Sequence, residues 1–290
     1  MKIAIIGAGF AGLSAAWHLS KNHKVCLFDI TGIGAGASGA ATGLLHPYPG
    51  EKGRLSWKAA EAMGAARELL TIAEEEEGKK VAHYGGILKK GLCLNPGDDV
   101  TKLSEDLYLI HSGITVFVSS YLKGLWKAAE KKGVKLHIRN IDSLDEQLEG
   151  FDRIILCVGA GIRHFSKCSH LKINFIKGQA LVCSLAEPMP RSVVAKQYMA
   201  LTDHPYICHL GATYERDFIS SAPNLDVATR LLQPTMPVIE CRAGVRVTNP
   251  AHYFPLLETI DTRTWVVTAL GSRGLLYHGY MGQLLTQVIG

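Results

Sequence analysis

The chain contains 290 residues, of which 47% are hydrophobic and 20% charged, and its formal net charge is +5 at pH 7. This composition is typical of a folded globular protein and argues against a disordered chain. No apolar run approaches the roughly 20 residues needed to cross a bilayer. Because the first residues also lack a signal-peptide cleavage pattern, we expect a soluble, cytoplasmic protein. Seven scattered cysteines without a C-x-x-C pair predict neither a disulfide framework nor a metal site.

The first 29 residues predict a strand, a glycine turn, a helix and a second strand. Gly7, Gly9 and Gly12 form a G-x-G-x-x-G pattern between the first strand and the helix. Gly7 permits a tight turn, Gly9 lets the backbone approach a pyrophosphate, and Gly12 lets helix and strand pack closely. Asp29 follows Gly9 by 20 residues and ends the second strand, where a carboxylate accepts hydrogen bonds from an adenosine ribose. The unit predicts a dinucleotide site and favours NAD or FAD over NADP.

Residues 34–50, GAGASGAATGLLHPYPG, come next. Glycine and alanine leave the backbone of the first part accessible, and the second part is apolar and stiffened by two prolines. Exposed amides and Ser38 are able to form a nest for a second side of a pyrophosphate. Gly43, Leu44 and Leu45 would then lie along a flat ring. A nicotinamide enzyme usually continues with another ordinary strand and helix, so this segment favours FAD.

Further along the chain, the pattern alternates between helices and strands and becomes β-rich after residue 173. The best helix covers residues 56–77, with Ser56 as its N-cap, four glutamates as a solvated last turn and Gly78 just beyond its end. The other predicted elements are hairpin-like segments at 85–94 and 107–118, a helix at 119–133, strands at 134–138, 151–161, 173–185, 204–214 and 237–247, and a C-terminal strand, glycine turn and helix at 264–290.

These elements predict an α/β fold in which a Rossmann-like FAD-binding domain, built from both ends of the chain, contains an inserted β-rich substrate domain. The FAD-binding domain is predicted to be discontinuous, with segments 1–82, 111–165 and 255–290. Segments 83–110 and 166–254 form the predicted substrate domain.

Five segments in the same order resemble the FAD-dependent oxidoreductases of the D-amino-acid oxidase superfamily. The resemblance extends to glycine oxidase and to the oxidase half of the bacterial bifunctional enzyme that makes 5-methylaminomethyl-2-thiouridine at the tRNA wobble position. The five segments are the 34–50 segment, FDRIILCVGAGIR, KGQAL with HLGATYE, AGVRVTNPAHYFPLLE and ALGSRGLLYHGYMGQLL.

The resemblance implies FAD as the cofactor and assigns groups to it along the whole chain. The expected FAD-binding residues are Gly7, Gly9, Phe10, Ala11, Gly12, Asp29, Ala37, Ser38, Gly43, Leu44, Leu45, Gly159, Gly161, Gly271, Arg273, Gly274 and Leu275. It also implies oxidation of a carbon–nitrogen bond in an amino acid or secondary amine, by hydride transfer to flavin N5. The imine product then hydrolyses.

The resemblance places Arg246 where relatives grip a substrate carboxylate and Arg273 at a further active-site position. A guanidinium suits a carboxylate because it donates two parallel hydrogen bonds and stays charged. A structural salt bridge from Arg246 to Glu240 or Glu258 is the alternative. Tyr198 and His46 complete the expected substrate site, and Tyr277 and His278 are weaker candidates at its border.

Three other functions stay open at this point. The amine substrate is either a small molecule or, alternatively, the carboxymethylaminomethyl group of a tRNA wobble uridine, which would make tRNA a partner. A non-catalytic flavin-binding protein is a second alternative, since the chain is shorter than typical relatives. A nicotinamide-dependent dehydrogenase is the weakest. The sequence does not assign the exact amine, the electron acceptor or the oligomeric state.

Overall fold

The computed structural model describes residues 1–50, 52–91 and 97–290. Cys93 and the end of the hairpin-like segment 85–94 lie outside these ranges. The strands are β1 (Lys2–Ile6), β2 (Lys24–Asp29), β3 (Leu44–Leu45), β4 (Ala82–His83), β5 (Ile87–Lys90), β6 (Val100–Lys102), β7 (Leu107–Ile110), β8 (Ile114–Val116), β9 (Lys135–Ile138), β10 (Arg153–Leu156), β11 (Asn174–Ser184), β12 (Val193–Val194), β13 (Tyr198–Leu201), β14 (Ile207–Gly211), β15 (Val238–Thr248), β16 (Leu256–Asp261) and β17 (Thr264–Thr268).

The helices alternate with the strands in the first and last parts of the chain. They are α1 (Phe10–Leu19), α2 (Ala59–Glu77), α3 (Val118–Lys131), α4 (Leu144–Gln147), α5 (Leu225–Leu232) and α6 (Gly274–Ile289). Short 3₁₀ turns cover Gly159–His164, Ser166–Cys168 and Gly271–Arg273. Among the described helices, none is both long and apolar enough to cross a membrane.

A six-stranded sheet has the order β16-β17-β10-β1-β2-β9 and confirms the predicted α/β fold. Its strands are parallel except β16, which pairs antiparallel with β17. On one face Ile3 and Ile5 of β1 pack against α1, α2, α3 and α6, and on the other Ala4 and Ile6 pack against the region of α4. Because both faces are covered, β1 and β10 consist almost wholly of apolar residues.

The second large sheet has eight strands in the order β15-β11-β14-β13-β12-β5-β7-β6 and is largely antiparallel. Its strands lie within 83–110 and 166–254, the segments proposed for the substrate domain, although the domain boundaries themselves stay a prediction. A small third sheet pairs β8 with β3 and β4. The predicted hairpin at 107–118 is therefore wrong, because β7 and β8 belong to different sheets.

The start of α2 differs from the predicted start at Ser56. The helix begins at Ala59, after Lys58, which is left-handed with φ +49°. Ser56 is buried and does not cap the helix. Gly78 ends the helix in the left-handed conformation, as its position after the last turn predicted.

The last turn of α2 is not a freely solvated acidic surface. Lys127 and Lys131 of α3 lie 2.7 and 2.6 Å from the carboxylates of Glu77 and Glu76, respectively. Glu74 accepts hydrogen bonds from the amide of Val81 and from Lys80. These cations offset the unfavourable position of acidic groups at a helix C-terminus, and they tie α2 to α3.

Candidate active site

The glycine turn after β1 is as tight as the pattern predicted. Gly7 has φ +104°, and a Cβ added to it would lie 2.3 Å from the carbonyl oxygen of Cys157. A Cβ on Gly12 would lie 1.7 Å from the carbonyl oxygen of Gly7. Both positions therefore exclude a side chain, and the amino end of α1 is directed over the carboxyl end of β1.

The glycine-rich segment 34–43 covers this helix start. The amide of Gly34 donates to the carbonyl of Ala8 at 2.9 Å. The amide of Phe10 donates to the hydroxyl of Ser38 at 3.0 Å, and a Cβ on Gly9 would lie 2.7 Å from the same oxygen. Gly9, the N-cap residue of α1, has no side chain, so the capping oxygen comes from Ser38, which is distant in the sequence.

Asp29 holds the neighbouring turn through three backbone amides. Its Oδ2 accepts from Ala8 at 2.8 Å, and its Oδ1 accepts from Thr31 and Gly32, each at 2.9 Å. The carboxylate is only partly buried, at the carboxyl end of β2. A carboxylate has lone pairs for further donors, so a contact with a ribose stays a prediction.

A cavity of about 480 Å³ begins at the α1 start and extends between the two large sheets. The predicted residues that line it are Gly9, Phe10, Ala11, Ala37, Ser38, Gly43, Leu44, His46, Gly159, Tyr198, Arg246, Gly271, Gly274 and Leu275. The charged side chains among its described lining residues are Lys196 and Arg246, and none of these residues is Asp or Glu. The cavity therefore favours an anionic ligand.

Arg246 lies on β15, and its guanidinium lines this cavity. Its Nη2 donates to the carbonyl of Thr213 at 3.1 Å, and its Cζ lies 5.7 Å from the centre of the Tyr214 ring. Within the described part of the chain it forms no salt bridge with Glu240 or Glu258; Glu240 pairs instead with Arg242 at 3.0 Å. Burial lowers the pKa of Arg246 from its usual value, and Tyr198 and Tyr214 oppose that shift.

Two of the other expected substrate-site residues also line the cavity. Burial raises the pKa of the Tyr198 hydroxyl, so Tyr198 is present as a neutral phenol. Burial and repulsion by Lys89 lower the pKa of His46 to about 4, although Asp99 opposes the shift. The Nδ1 of His46 accepts a hydrogen bond from the amide of Tyr48 at 3.3 Å. His46 is therefore a neutral imidazole near pH 7 and does not compete with Arg246 for an anion.

Six of the expected cofactor-site residues do not line the cavity: Gly7, Gly12, Asp29, Leu45, Gly161 and Arg273. The Leu45 side chain is in the core, and Arg273 donates to the carbonyl of Tyr253 at 3.3 Å. All of the assignments to the cofactor stay predictions, whether or not the residue lines the cavity, and so does the active-site position expected for Arg273.

Tyr277 and His278 do not border the cavity, because α6 turns both side chains into the protein core. The Tyr277 hydroxyl donates to the carbonyl of Trp57 at 3.0 Å. His278 is hydrogen-bonded to the hydroxyl of Tyr121 and is 1% exposed.

Two glycines that line the cavity, Gly178 and Gly244, were not predicted from the sequence. Gly178 of β11 pairs with Gly244 of β15. A Cβ on Gly178 would lie 2.4 Å from Nη2 of Arg246, and one on Gly244 would lie 2.7 Å from Cα of Ala37. The missing side chains therefore leave room for the guanidinium next to Gly178 and for the 34–43 segment next to Gly244. KGQAL and AGVRV each contain one of the glycines, but neither segment indicates that they pair.

The start of α1 at Gly9, the glycine turn at Gly271 and Arg246 of β15 all line the same cavity. This arrangement is typical of a dinucleotide-dependent enzyme. Residues 2–288 match the model of the family described as FAD dependent oxidoreductase (DAO). The chain belongs to this family and is an FAD-dependent oxidoreductase.

Solved structures with the same fold include several amine-oxidising enzymes. Glycine oxidase from Geobacillus kaustophilus superimposes with a TM-score of 0.82 at 16% identity, over 99% of this chain and 94% of that one. Iminodiacetate oxidase from Chelativorans sp. gives a TM-score of 0.78 at 20% identity, over 99% and 95%. L-proline dehydrogenase from P. horikoshii gives 0.73 at 14% identity, over 99% and 92%. At these sequence identities, the comparisons with solved structures show a shared fold and nothing more.

The residues of this chain fit FAD. Two backbone turns, at Gly7–Gly12 and at Gly271–Gly274, approach each other so closely that a Cβ on Gly274 would lie 3.3 Å from the Phe10 ring. The start of α1 lines the cavity through Gly9, Phe10 and Ala11, and the start of α6 lines it through Gly274 and Leu275. The amino ends of helices favour anionic groups such as a pyrophosphate. Both helix starts therefore face the one cavity in which a dinucleotide would lie.

Proposed function

We propose that the chain oxidises the carbon–nitrogen bond of a small amine that bears a carboxylate, such as an amino acid or an N-substituted glycine. One observation supports this proposal most strongly. Arg246 places a partly buried guanidinium in the cavity, and its only described hydrogen bond is to a backbone carbonyl. A charged group in that position lacks a compensating charge until an anion binds.

The side chains around Arg246 suit a carboxylate-bearing amine whose nitrogen is neutral. The guanidinium would bind the carboxylate in the bidentate manner and so fix the orientation of the α-carbon. Tyr198 and His46 are uncharged near pH 7 and offer hydrogen-bonding atoms without repelling an amine. We assign no general base, because an amine that arrives neutral needs none.

When bound, FAD would accept the hydride that leaves the α-carbon, and the nitrogen lone pair would form the C=N bond. Water then hydrolyses the imine to a carbonyl compound and an amine. The protein contributes orientation, an anion site and a cavity wall of small residues.

Anaerobic reduction of the bound flavin tests the proposal. Purified protein loaded with FAD would be mixed under nitrogen with glycine, sarcosine, D-amino acids, proline and a carboxymethylaminomethyl nucleoside. The last compound tests the tRNA alternative, because it has the same secondary amine and carboxylate. Bleaching at 450 nm by at least one of these amines is expected, and no bleaching by any of them would contradict the proposal.

Variants of two arginines on the same strand separate the anion site from general effects. Arg246→Ala should raise the concentration of substrate needed for half-maximal reduction at least about tenfold, since a hydrogen bond to a charged group contributes about 1.5–3 kcal/mol. Arg242→Ala is the matched control, because Arg242 pairs with Glu240 and does not line the cavity. If Arg246→Ala behaves like the control, Arg246 is not the carboxylate anchor.

A further inference from the structure

A second cavity, of about 310 Å³, adjoins the first. Tyr214 lines both cavities. The residues that line the second one are Asn174, Phe175, Ile176, Tyr214, Arg216, Thr248, Pro250 and Tyr253. These described residues include one cation and neither Asp nor Glu, so the cationic character of the first cavity continues into the second.

Strand register places the two cavities on one face of the sheet. Side chains alternate between the two faces of a strand, and directly paired residues share a face. The pair Gly178–Gly244 lies under the first cavity, and the pair Asn174–Thr248 lies under the second. Arg246 pairs with Ile176 between them. A ligand held by Arg246 therefore has open space on both sides along the same pair of strands.

Arg216 is exposed and is the charged residue among the described residues that line the second cavity. Its Cζ lies 5.5 Å from the centre of the Tyr214 ring, and the Cζ of Arg246 lies 5.7 Å from the same centre. The two guanidinium carbons are consequently within about 11 Å of each other. Arg216 forms no ion pair with a described acidic residue. Asn174 and Thr248 add neutral hydrogen-bond donors to the same cavity.

We propose that the second cavity binds an anionic group at the end of the second substituent on the amine nitrogen. The preferred substrates are then secondary amines with two acidic groups, one held by Arg246 and the other by Arg216. Glycine and sarcosine would occupy only the first anion site. This inference rests on the proposed amine oxidation for its substrate, but the binding site itself can be measured without any oxidation.

Thioether analogues, in which sulfur replaces the amine nitrogen, make that measurement possible. (Methylthio)acetate has one carboxylate, whereas thiodiacetate and 3-(carboxymethylthio)propionate have two. Dissociation constants for the FAD-loaded protein would be measured by calorimetry. At least one of the two diacids is expected to bind about tenfold more tightly than the monoacid. A tenfold change in dissociation constant corresponds to about 1.4 kcal/mol of binding free energy. Equal dissociation constants for all three compounds would overturn the proposal.

Variants assign the effect to Arg216. Arg216→Gln should bring the ratio of monoacid to diacid dissociation constants close to one, whereas Arg246→Gln should weaken all three compounds. Arg230→Gln is the control, because Arg230 is an exposed arginine of α5 that lines neither cavity. A ratio that Arg216→Gln leaves unchanged would place the second anion elsewhere and overturn the assignment.

Two further comparisons complete the test. A phosphonate in place of the far carboxylate distinguishes a carboxylate site from a phosphate site, since Arg216 is able to bind either anion. The amine panel separates the two proposals: diacid-selective binding without flavin reduction by any amine would retain the second anion site and reject the amine oxidation.

Discussion

The guanidinium of Arg246 lies directly on the backbone of Gly178, which belongs to the neighbouring strand. An added Cβ at Gly178 would lie 2.4 Å from Nη2 and 2.9 Å from Cζ of Arg246. These atoms end a flexible side chain, so a methyl group here is expected to move the arginine and leave the sheet in place. Gly178 thus controls the position of the proposed anion anchor without itself providing a functional group.

Gly178→Ala should therefore weaken binding of (methylthio)acetate at least about tenfold with little loss of thermal stability, because a displaced guanidinium loses its charge-assisted hydrogen bonds. Calorimetry would measure the affinity for (methylthio)acetate, and a thermal melt would measure the stability. Gly64→Ala is the control: an added Cβ there meets nothing within 4 Å, and glycine to alanine in a helix stabilises by about 0.5–1 kcal/mol. Unchanged ligand affinity in Gly178→Ala would show that Arg246 does not bind the carboxylate.

Gly12→Ala should give a protein that purifies with little or no flavin. The added methyl group would lie 1.7 Å from the carbonyl oxygen of Gly7, and the backbone on both sides has no room to move apart without opening the turn. The ratio of absorbance at 450 nm to that at 280 nm measures the flavin content. Gly36→Ala provides the comparison, because an added Cβ at Gly36 has nothing within 4 Å. Full flavin content in Gly12→Ala would contradict the proposed cofactor position.

Ser38→Ala should destabilise the FAD-free protein. The variant removes the oxygen that accepts from the amide of Phe10 at 3.0 Å, and loss of a capping oxygen costs about 0.5–2 kcal/mol. Urea unfolding of the FAD-free form is the appropriate measurement, because a bound cofactor adds its own stabilisation. Ser104 is exposed and lies between β6 and β7 rather than at a helix start, so Ser104→Ala should change the free energy of unfolding by less than about 0.5 kcal/mol. If Ser38→Ala and Ser104→Ala change the free energy of unfolding equally, Ser38 does not stabilise the start of α1.

Acid should destabilise the protein through two buried histidines, His18 and His278, and two partly buried ones, His46 and His209. Burial is the largest cause that lowers the pKa values of His18, His46, His209 and His278 to about 4. The unfolded chain, with a histidine pKa near 6.5, binds more protons than the folded protein between these values. The free energy of unfolding should therefore fall as the pH decreases from about 6.5 to about 4, by up to about 1.4 kcal/mol per pH unit for each histidine.

His278→Gln tests one of these contributions. The ring of His278 faces Tyr121 of α3, Phe10 of α1 and, in the same buried region, His18. The variant should flatten the pH dependence of the unfolding free energy between pH 4 and 6.5, even if it also lowers stability at pH 7. His204→Gln is the control, since His204 is exposed and lies outside this cluster. A pH dependence as steep as that of the unsubstituted protein would show that His278 does not titrate on unfolding.

Short-range patterns were sufficient to predict the nucleotide-binding half of the fold. The glycines of the first turn, the apolar β10 and the helix after Gly271 each determine local structure within a few residues. Errors arose where distant contacts decide the outcome. The helix α2 was predicted to start at Ser56 but begins at Ala59, after the left-handed Lys58. The neighbouring Trp57 contacts Tyr277 and Phe254, which are about 200 residues away in the sequence.

The candidate site was predictable as a set of residues but not as an arrangement. The position of Arg246 in a glycine-flanked strand was visible, yet its contact with Gly178 depends on the register between β11 and β15. The hydrogen bond between Tyr121 and His278 joins residues 157 positions apart, so it left no local signal. Arg216 has no distinctive pattern around it, and only its place beside Tyr214 connects it with the site.

The pairing of β10 with β17 has a consequence for biosynthesis. β10 is complete at Leu156, but β17 and the turn at Gly271–Arg273 follow more than a hundred residues later. A nascent chain that has not yet released residues 264–275 from the ribosome has an open sheet edge and an unfinished cofactor chamber. We therefore expect FAD to bind only after residues 264–275 have emerged, because Gly271, Gly274 and Leu275 line the cavity.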